Sequence, residues 1–441
     1  MPGATTADLY EVTMAMSYLR EGMTAPATFD LFVRRLPADR GFLVAAGIED
    51  VLDHLAGLHT TERDLADFAA ALGHPPRDVA PLAGLSFTGE VRAVPEGTVV
   101  LPGEPLVEVT APLPEAQLVE SFVLNEISYQ TSLASKAVRS VLAADGTPVV
   151  DFSLRRTHST RAAFHAARVG RLTGFSATSN VEAAAAWDIP ATGTMAHSYI
   201  EAFGPEERAF RAFAEAHPGP VTLLVDTYDT AGGVGTAARV LRSLDRPGSA
   251  IRIDSGDLAE EAVRARRILD SAGLADVRIV VSGGLDEYAV DELRRRRAPV
   301  DVFAVGTKVG VSADAPYLNS AYKLVEYDGR PVMKLSTKKV TAPGRKQVHR
   351  SEAGGDLVTL ADEEPPGPGR PLLRTLMHEG RRVHPREDLA DARRRCAAEV
   401  AALDPAARGI HSPEPPSCRF SPRLDALTAK VQQHIEDAYT K

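Results

Sequence analysis

Between residues 147 and 311 the chain repeats one pattern: a short apolar run ends abruptly in polar or glycine residues, and an amphipathic segment of helical length follows. The series begins at Thr147-Pro-Val-Val-Asp-Phe152. It continues through Val221-Thr-Leu-Leu-Val-Asp226, Ile251-Arg-Ile-Asp-Ser-Gly-Asp-Leu258, Arg278-Ile-Val-Val-Ser-Gly-Gly284 and Asp301-Val-Phe-Ala-Val-Gly-Thr307. Apolar runs of strand length alternating with helical segments predict consecutive βα units of a parallel sheet. Every polar tip falls at a strand C-terminal end, where barrels and open α/β sheets bind their ligands.

The flanks follow other periods. Residues 7–20 carry apolar positions at three- and four-residue spacing, and residues 28–34 alternate, which predicts a helix and then a strand. Helical patterns follow over 41–57 and 61–72; residues 86–109 are short β runs broken by Pro-Gly turn chemistry. A long helix is predicted from about 114 to 143, and a hairpin turns at Asp328-Gly329. Residues 353–370, rich in Gly, Pro and acid, read as a surface loop; the tail from 405 to 423 is Pro-rich, with a short terminal helix after it. The expected fold class is α/β. Residues 1–115 form an N-terminal α+β domain and 116–315 an α/β barrel, and 316–441 partly complete the first domain.

Composition narrows the function. A formal charge of -9 argues against a nucleic-acid or anionic-membrane surface, so cations that bind anions must be focused in a pocket. Cys396 and Cys418 show no metal or redox spacing, and the N-terminus has neither a basic region nor an apolar core. No apolar run reaches the ~18 residues of a membrane span. A cytoplasmic protein is the expectation.

The tips carry the chemistry. Arg252 and Asp254 are two apart in a strand and face the same side. They read as a buried structural ion pair or as a guanidinium fork for a planar anion, positioned by the carboxylate. Ser282, Gly283 and Gly284 end one run, and Gly306 and Thr307 end the next; glycines there let backbone amides approach an anion at helix N-termini. Phe152 is core or a ring platform, and Arg155 and Arg156, directly after the strand, suit a flat anionic ring. His197 is structural, or else a base or nucleophile toward a phosphoryl group. Asp226 and Asp229 are helix caps or carboxylates for Mg²⁺ held with substrate phosphates. The metal ligands stay unassigned.

Together, Thr6-Ala-Asp-Leu-Tyr10, Asp151-Phe-Ser-Leu-Arg-Arg156, Gly193-Thr-Met-Ala-His-Ser198, Arg252-Ile-Asp-Ser-Gly-Asp257, Ser282-Gly-Gly284 and Val305-Gly-Thr307 resemble the nicotinate phosphoribosyltransferases, a group that includes a nicotinamide-using relative. The resemblance implies a homodimer with an irregular α/β barrel and a second domain built from both chain ends. It implies condensation of nicotinate with phosphoribosyl pyrophosphate in NAD salvage, with Mg²⁺, and with ATP as co-substrate through a phosphohistidine at His197. Tyr10, Thr194 and Arg252 match pyridine-site positions, and Thr307 a phosphoribosyl contact. Phe152 and Arg155 match the ring-stacking and anion-binding positions of the nicotinamide relative. That relative's amide-recognising aspartate falls at Ser179, which favours the acid, because an anionic acceptor there would repel a carboxylate. Asp254 is taken as catalytic with His197. The competing readings are a nicotinamide or quinolinate phosphoribosyltransferase, a phosphosugar aldolase using Lys308 as a Schiff-base lysine, and a catalytically silent paralogue.

Overall fold

The computed structural model describes residues 3–244, 246–335, 341–351, 355–365 and 367–439, without the side chain of Tyr439. The chain divides into two compact units, Met1–Ser132 with Tyr317–Lys441, and Leu133–Pro316. The boundary lies inside the helix Glu120–Ala144 rather than at the expected 115/116.

The second unit carries the βα series. Its six strands are Val149–Asp151, Ala177–Thr178, Thr222–Leu224, Ala250–Ile253, Arg278–Val281 and Val302–Val305. They pair in parallel in the spatial order second, first, sixth, fifth, fourth, third. The strands are short and rich in Val and Ile, residues that fit a pleated, covered surface. The row is open between its two edge strands among the described residues, which makes this an irregular barrel. Val150, Ala177, Ala250, Val280 and Ala304 form one buried face, with Phe152 packed against it. Helices start where strand tips supply caps: Ser159 accepts from the Ala162 amide, Asn180 from Ala183, Asp257 from Ala259 and Glu260, and Asp286 from Ala289.

The first unit is built on a seven-stranded antiparallel sheet. Pro26–Val33 is an interior strand of it, between Ser320–Tyr327 and the central strand Pro105–Pro112. Residues from both chain ends therefore share one sheet and one core, in which Phe29 stacks on Tyr322 at 4.7 Å. The hairpin at Asp328-Gly329 forms with both residues at positive φ, as a tight two-residue turn requires.

Four expected elements are corrected. The 41–57 helix begins only at Ile48, because Leu43–Val44 pairs with Val99–Val100 and Gly47 turns the chain at φ 92°. The 114–143 helix is two helices, Leu113–Leu118 and Glu120–Ala144, separated at Val119. Within the expected 353–370 loop, Asp356–Leu360 is a strand between Lys346–Arg350 and Cys418–Phe420; residues 353, 354 and 366 lie outside the described residues. The short apolar run 357–360 is bounded by so much Gly, Pro and acid that its strand pattern was masked. The terminal helix, Pro422–Tyr439, is 18 residues long rather than short. Among the described residues, no helix is long and apolar enough to cross a membrane.

Candidate active site

The C-terminal ends of the parallel strands surround a cavity of about 510 Å³. Every expected site residue except Tyr10 lines it: Phe152, Arg155, Thr194, His197, Arg252, Asp254, Ser282, Gly283, Gly284, Gly306 and Thr307. Tyr10 belongs to the first unit, on the helix Leu9–Arg20, where it is 46% exposed.

Arg252 and Asp254 meet as strand periodicity requires, with Nη2 donating to Asp254 Oδ1 at 2.6 Å. Arg252 Nε donates to Ser282 Oγ at 2.8 Å, and the Ser282 hydroxyl donates in turn to Asp254 Oδ1. The three residues close a ring across adjacent strands, set by the register Val280↔Arg252. Burial pushes the Asp254 carboxyl up, but the Ser282 hydroxyl and the Arg252 guanidinium outweigh it and hold the group below the usual carboxylate range. Asp254 is therefore ionised throughout the neutral range. The Arg252 guanidinium carbon lies 5.4 Å from the centre of the Phe152 ring, a cation–π distance. Arg252 Nη1 lies 3.4 Å from the Met195 carbonyl oxygen, so each guanidinium nitrogen has a partner within the protein. Arg252 is a buried ion-pair member whose planar face also covers the aromatic platform.

His197 opens the helix His197–Phe203, and its Nδ1 lies 3.2 Å from Thr227 Oγ1. That contact leaves Nε2 as the ring nitrogen available for chemistry. Thr227 carried no signal in the sequence, since it is thirty residues away and on a neighbouring strand tip. The two nearby aspartates separate into different roles. Asp229 Oδ2 accepts from the Gly232 amide at 2.7 Å and is a helix cap. Asp226 Oδ2 accepts from the Asp254 amide at 2.8 Å and from the Ser255 hydroxyl at 2.6 Å, which fixes the neighbouring tip. Asp226 Oδ1 is buried and has no hydrogen-bond partner among the described residues, an atom suited to a cation. The Thr194 hydroxyl donates to the Thr222 carbonyl at 2.7 Å.

Gly283 stands at φ +95°, and a Cβ there would lie 2.0 Å from the Asp254 carbonyl oxygen. Only glycine lets this tip pass so close to its neighbour. Gly306 precedes the short helix Thr307–Gly310, and a Cβ on Gly310 would strike Ser153 at 2.6 Å and Thr157 at 2.8 Å. Lys308 points away from Schiff-base chemistry: its Nζ donates to Asp286 Oδ2 at 2.8 Å and its side chain is 46% exposed. A reactive amine needs the opposite, a desolvated lysine without a carboxylate partner.

Ser179 and Arg156 also line the cavity. Arg155 and Arg156 are exposed on a single 3-10 turn, and neither has an ion-pair partner among the described residues. A larger cavity of about 780 Å³ lies in the first unit, but its half-buried cation Arg350 is already bonded to Asp356 and Glu399. Convergence of uncommitted charge, an imidazole and glycine tips makes the smaller cavity the candidate site.

Comparison with known proteins agrees with that geometry. Residues 5–128 match the nicotinate phosphoribosyltransferase (NAPRTase) N-terminal domain, and residues 147–353 the nicotinate phosphoribosyltransferase (NAPRTase) family. The chain is 46% identical over 413 residues to nicotinate phosphoribosyltransferase pncB2 of Mycobacterium tuberculosis, covering 92% of this chain and 89% of that one. It is 42% identical to the nicotinate phosphoribosyltransferase of Bacillus subtilis over 81% of this chain and 76% of that one. The crystal structure of human nicotinic acid phosphoribosyltransferase superimposes with a TM-score of 0.84 at 28% identity, covering 96% of this chain and 99% of that chain. The chain belongs to the nicotinate phosphoribosyltransferase family.

Proposed function

We propose that the protein condenses nicotinate with phosphoribosyl pyrophosphate, giving nicotinate mononucleotide and pyrophosphate in NAD salvage. The observation that carries this reading is the closed Arg252–Asp254–Ser282 ring beside Phe152. It places a fixed cation, a fixed anion and an aromatic face at one end of a cavity whose other tips are glycines. The pyridine nitrogen attacks the sugar C1, the C1–oxygen bond to pyrophosphate breaks, and positive charge develops on the ribose in between. Such a reaction asks the protein to position groups and stabilise charge. Phe152 and Arg252 orient the ring. Arg155 and Arg156 supply the uncommitted positive charge for a carboxylate. The amides at Gly283, Gly284, Gly306 and Thr307 face the phosphoribosyl part, and Asp254 stands by the developing cation. Mg²⁺ fits the unpartnered Asp226 oxygen and the Asp254 carboxylate, and it would supply neutralising charge for the leaving pyrophosphate.

ATP coupling, in the manner of a ligase, belongs to the same proposal. His197 Nε2 accepts the γ-phosphoryl group with release of ADP, and hydrolysis of the phosphohistidine follows product formation. A cytoplasmic homodimer is the proposed form. The uncommitted Ser179 hydroxyl and the free arginines favour the acid over the amide.

The test is mononucleotide formation from phosphoribosyl pyrophosphate and Mg²⁺, with nicotinate or nicotinamide, each with and without ATP. Nicotinate is expected to turn over, and faster with ATP, with acid-labile phosphate on His197 that His197→Ala abolishes. Ser179→Asp is expected to move preference toward nicotinamide. Turnover of nicotinamide alone by the native protein would overturn the acid assignment, and unchanged selectivity in the variant would overturn the role of Ser179.

A further inference from the structure

Asp151 ends the first barrel strand with its side chain almost fully buried, at 3% exposure, and no cation pairs with it among the described residues. A carboxylate so placed is costly unless each oxygen is bonded to a fixed donor. Asp151 Oδ1 accepts from the Ser153 amide at 2.9 Å, and Oδ2 accepts from the Thr178 hydroxyl at 2.7 Å. The Thr178 oxygen in turn accepts from the Asn180 amide at 3.0 Å. The Asp151 carbonyl takes the Ser179 amide at 2.9 Å.

These bonds link two different walls of the cavity. Ser153 begins the turn that carries Phe152 on one side and Arg155 and Arg156 on the other. Thr178 and Asn180 bracket Ser179. Every bond on this path joins backbone or short side chains, so neither wall can move without breaking one. Resting on the functional reading above, we infer that Asp151 and Thr178 act as a positioning clamp. The clamp fixes the ring platform against the residue that meets the ring substituent, and so sets affinity for the pyridine acid. The Asp151–Thr178 bond joins the edge strand Ala177–Thr178 to the strand of Asp151, on the opposite side of that strand from Val305, Gly306 and Thr307, which separates it from a general support of the fold.

The experiment compares Thr178→Val, which keeps the shape and removes the hydroxyl, with Thr178→Ser, which keeps the hydroxyl. Asp151→Asn is the second breaking variant, because its amide would face one donor with another. Thr178→Val and Asp151→Asn are expected to raise KM for nicotinate about tenfold, the effect of one lost hydrogen bond on binding, with KM for phosphoribosyl pyrophosphate unchanged. Thr178→Ser is expected to behave as the native protein. Limited trypsin digestion gives a readout that needs no activity: cleavage after Arg155 and Arg156 is expected to accelerate in the two breaking variants and not in Thr178→Ser. Equal increases in both KM values, or native KM values and native cleavage, would overturn the clamp. If the native protein makes no mononucleotide, the functional reading fails and the cleavage rates alone decide the clamp.

Discussion

The glycines of the site differ in what they contribute, although the sequence presents Gly283 and Gly284 as a pair. A methyl on Gly283 runs into the Asp254 carbonyl, which cannot retreat without breaking the Arg252–Asp254–Ser282 ring. Gly283→Ala is therefore expected to cost about a hundredfold or more in kcat/KM, the usual result of misplacing reacting groups by about an ångström. Gly284 at φ +66° faces open space. Its alanine variant carries only the left-handed backbone penalty of about 1–2 kcal/mol, so its loss of activity is expected to be much smaller. Steady-state kinetics on the two variants separates close approach from backbone freedom.

At the level of elements, the strand tips serve two masters. Ser159, Asn180, Asp257 and Asp286 cap helices, while Asp151, Asp254 and Ser282 hold the cavity together. Both tasks select the same short polar residues, because both ask an oxygen to accept from nearby amides. Asp257 illustrates the overlap: it lies in the same segment as Arg252 and Asp254, yet its oxygen caps the helix Leu258–Ser271. A capping residue can be removed without touching the chemistry. Ser159→Ala is expected to lower the unfolding free energy by about 1 kcal/mol and to leave turnover at the native level, measured by urea unfolding alongside the mononucleotide assay.

For the molecule as a whole, stability depends on a carboxyl far along the chain from the chemistry. Glu11 is buried in the first unit, and burial is the main reason that its pKa rises from 4.5 to about 7, with Glu120 and Asp8 adding like charge. The Ser121 hydroxyl and, to a lesser extent, the Ser121 amide at 2.9 Å donate to Oε1 and offset only part of this. A carboxyl whose folded pKa lies above its unfolded value takes up a proton on folding between the two. Folding stability from this group therefore falls as pH rises from 4.5 to about 7, and is level above that. Glu11→Gln removes the charge and keeps an acceptor for Ser121. Its melting temperature is expected to gain on the native protein progressively through that pH range, most at pH 7 and above. A constant difference between the two proteins across the range would contradict this.

The order of βα units, the position of the tips and the sharing of one face by Arg252 and Asp254 were legible in the chain, because strand period and apolar run length are local properties. The sheet made from both chain ends was legible in outline. The short strands 43–44 and 356–360 were not, since two- to five-residue elements exist only through their partners. The site divides along the same line. Residue types at the tips announced anion chemistry, but Arg252 meets Ser282 and His197 meets Thr227 across about thirty residues of intervening chain. Parallel pairing always imposes such a separation, because a helix must return the chain before the next strand can lie beside the last. Local sequence therefore determined which groups stand at the strand ends. The tertiary register alone decided which of them converge as a site, which cap helices, and which clamp one wall to another.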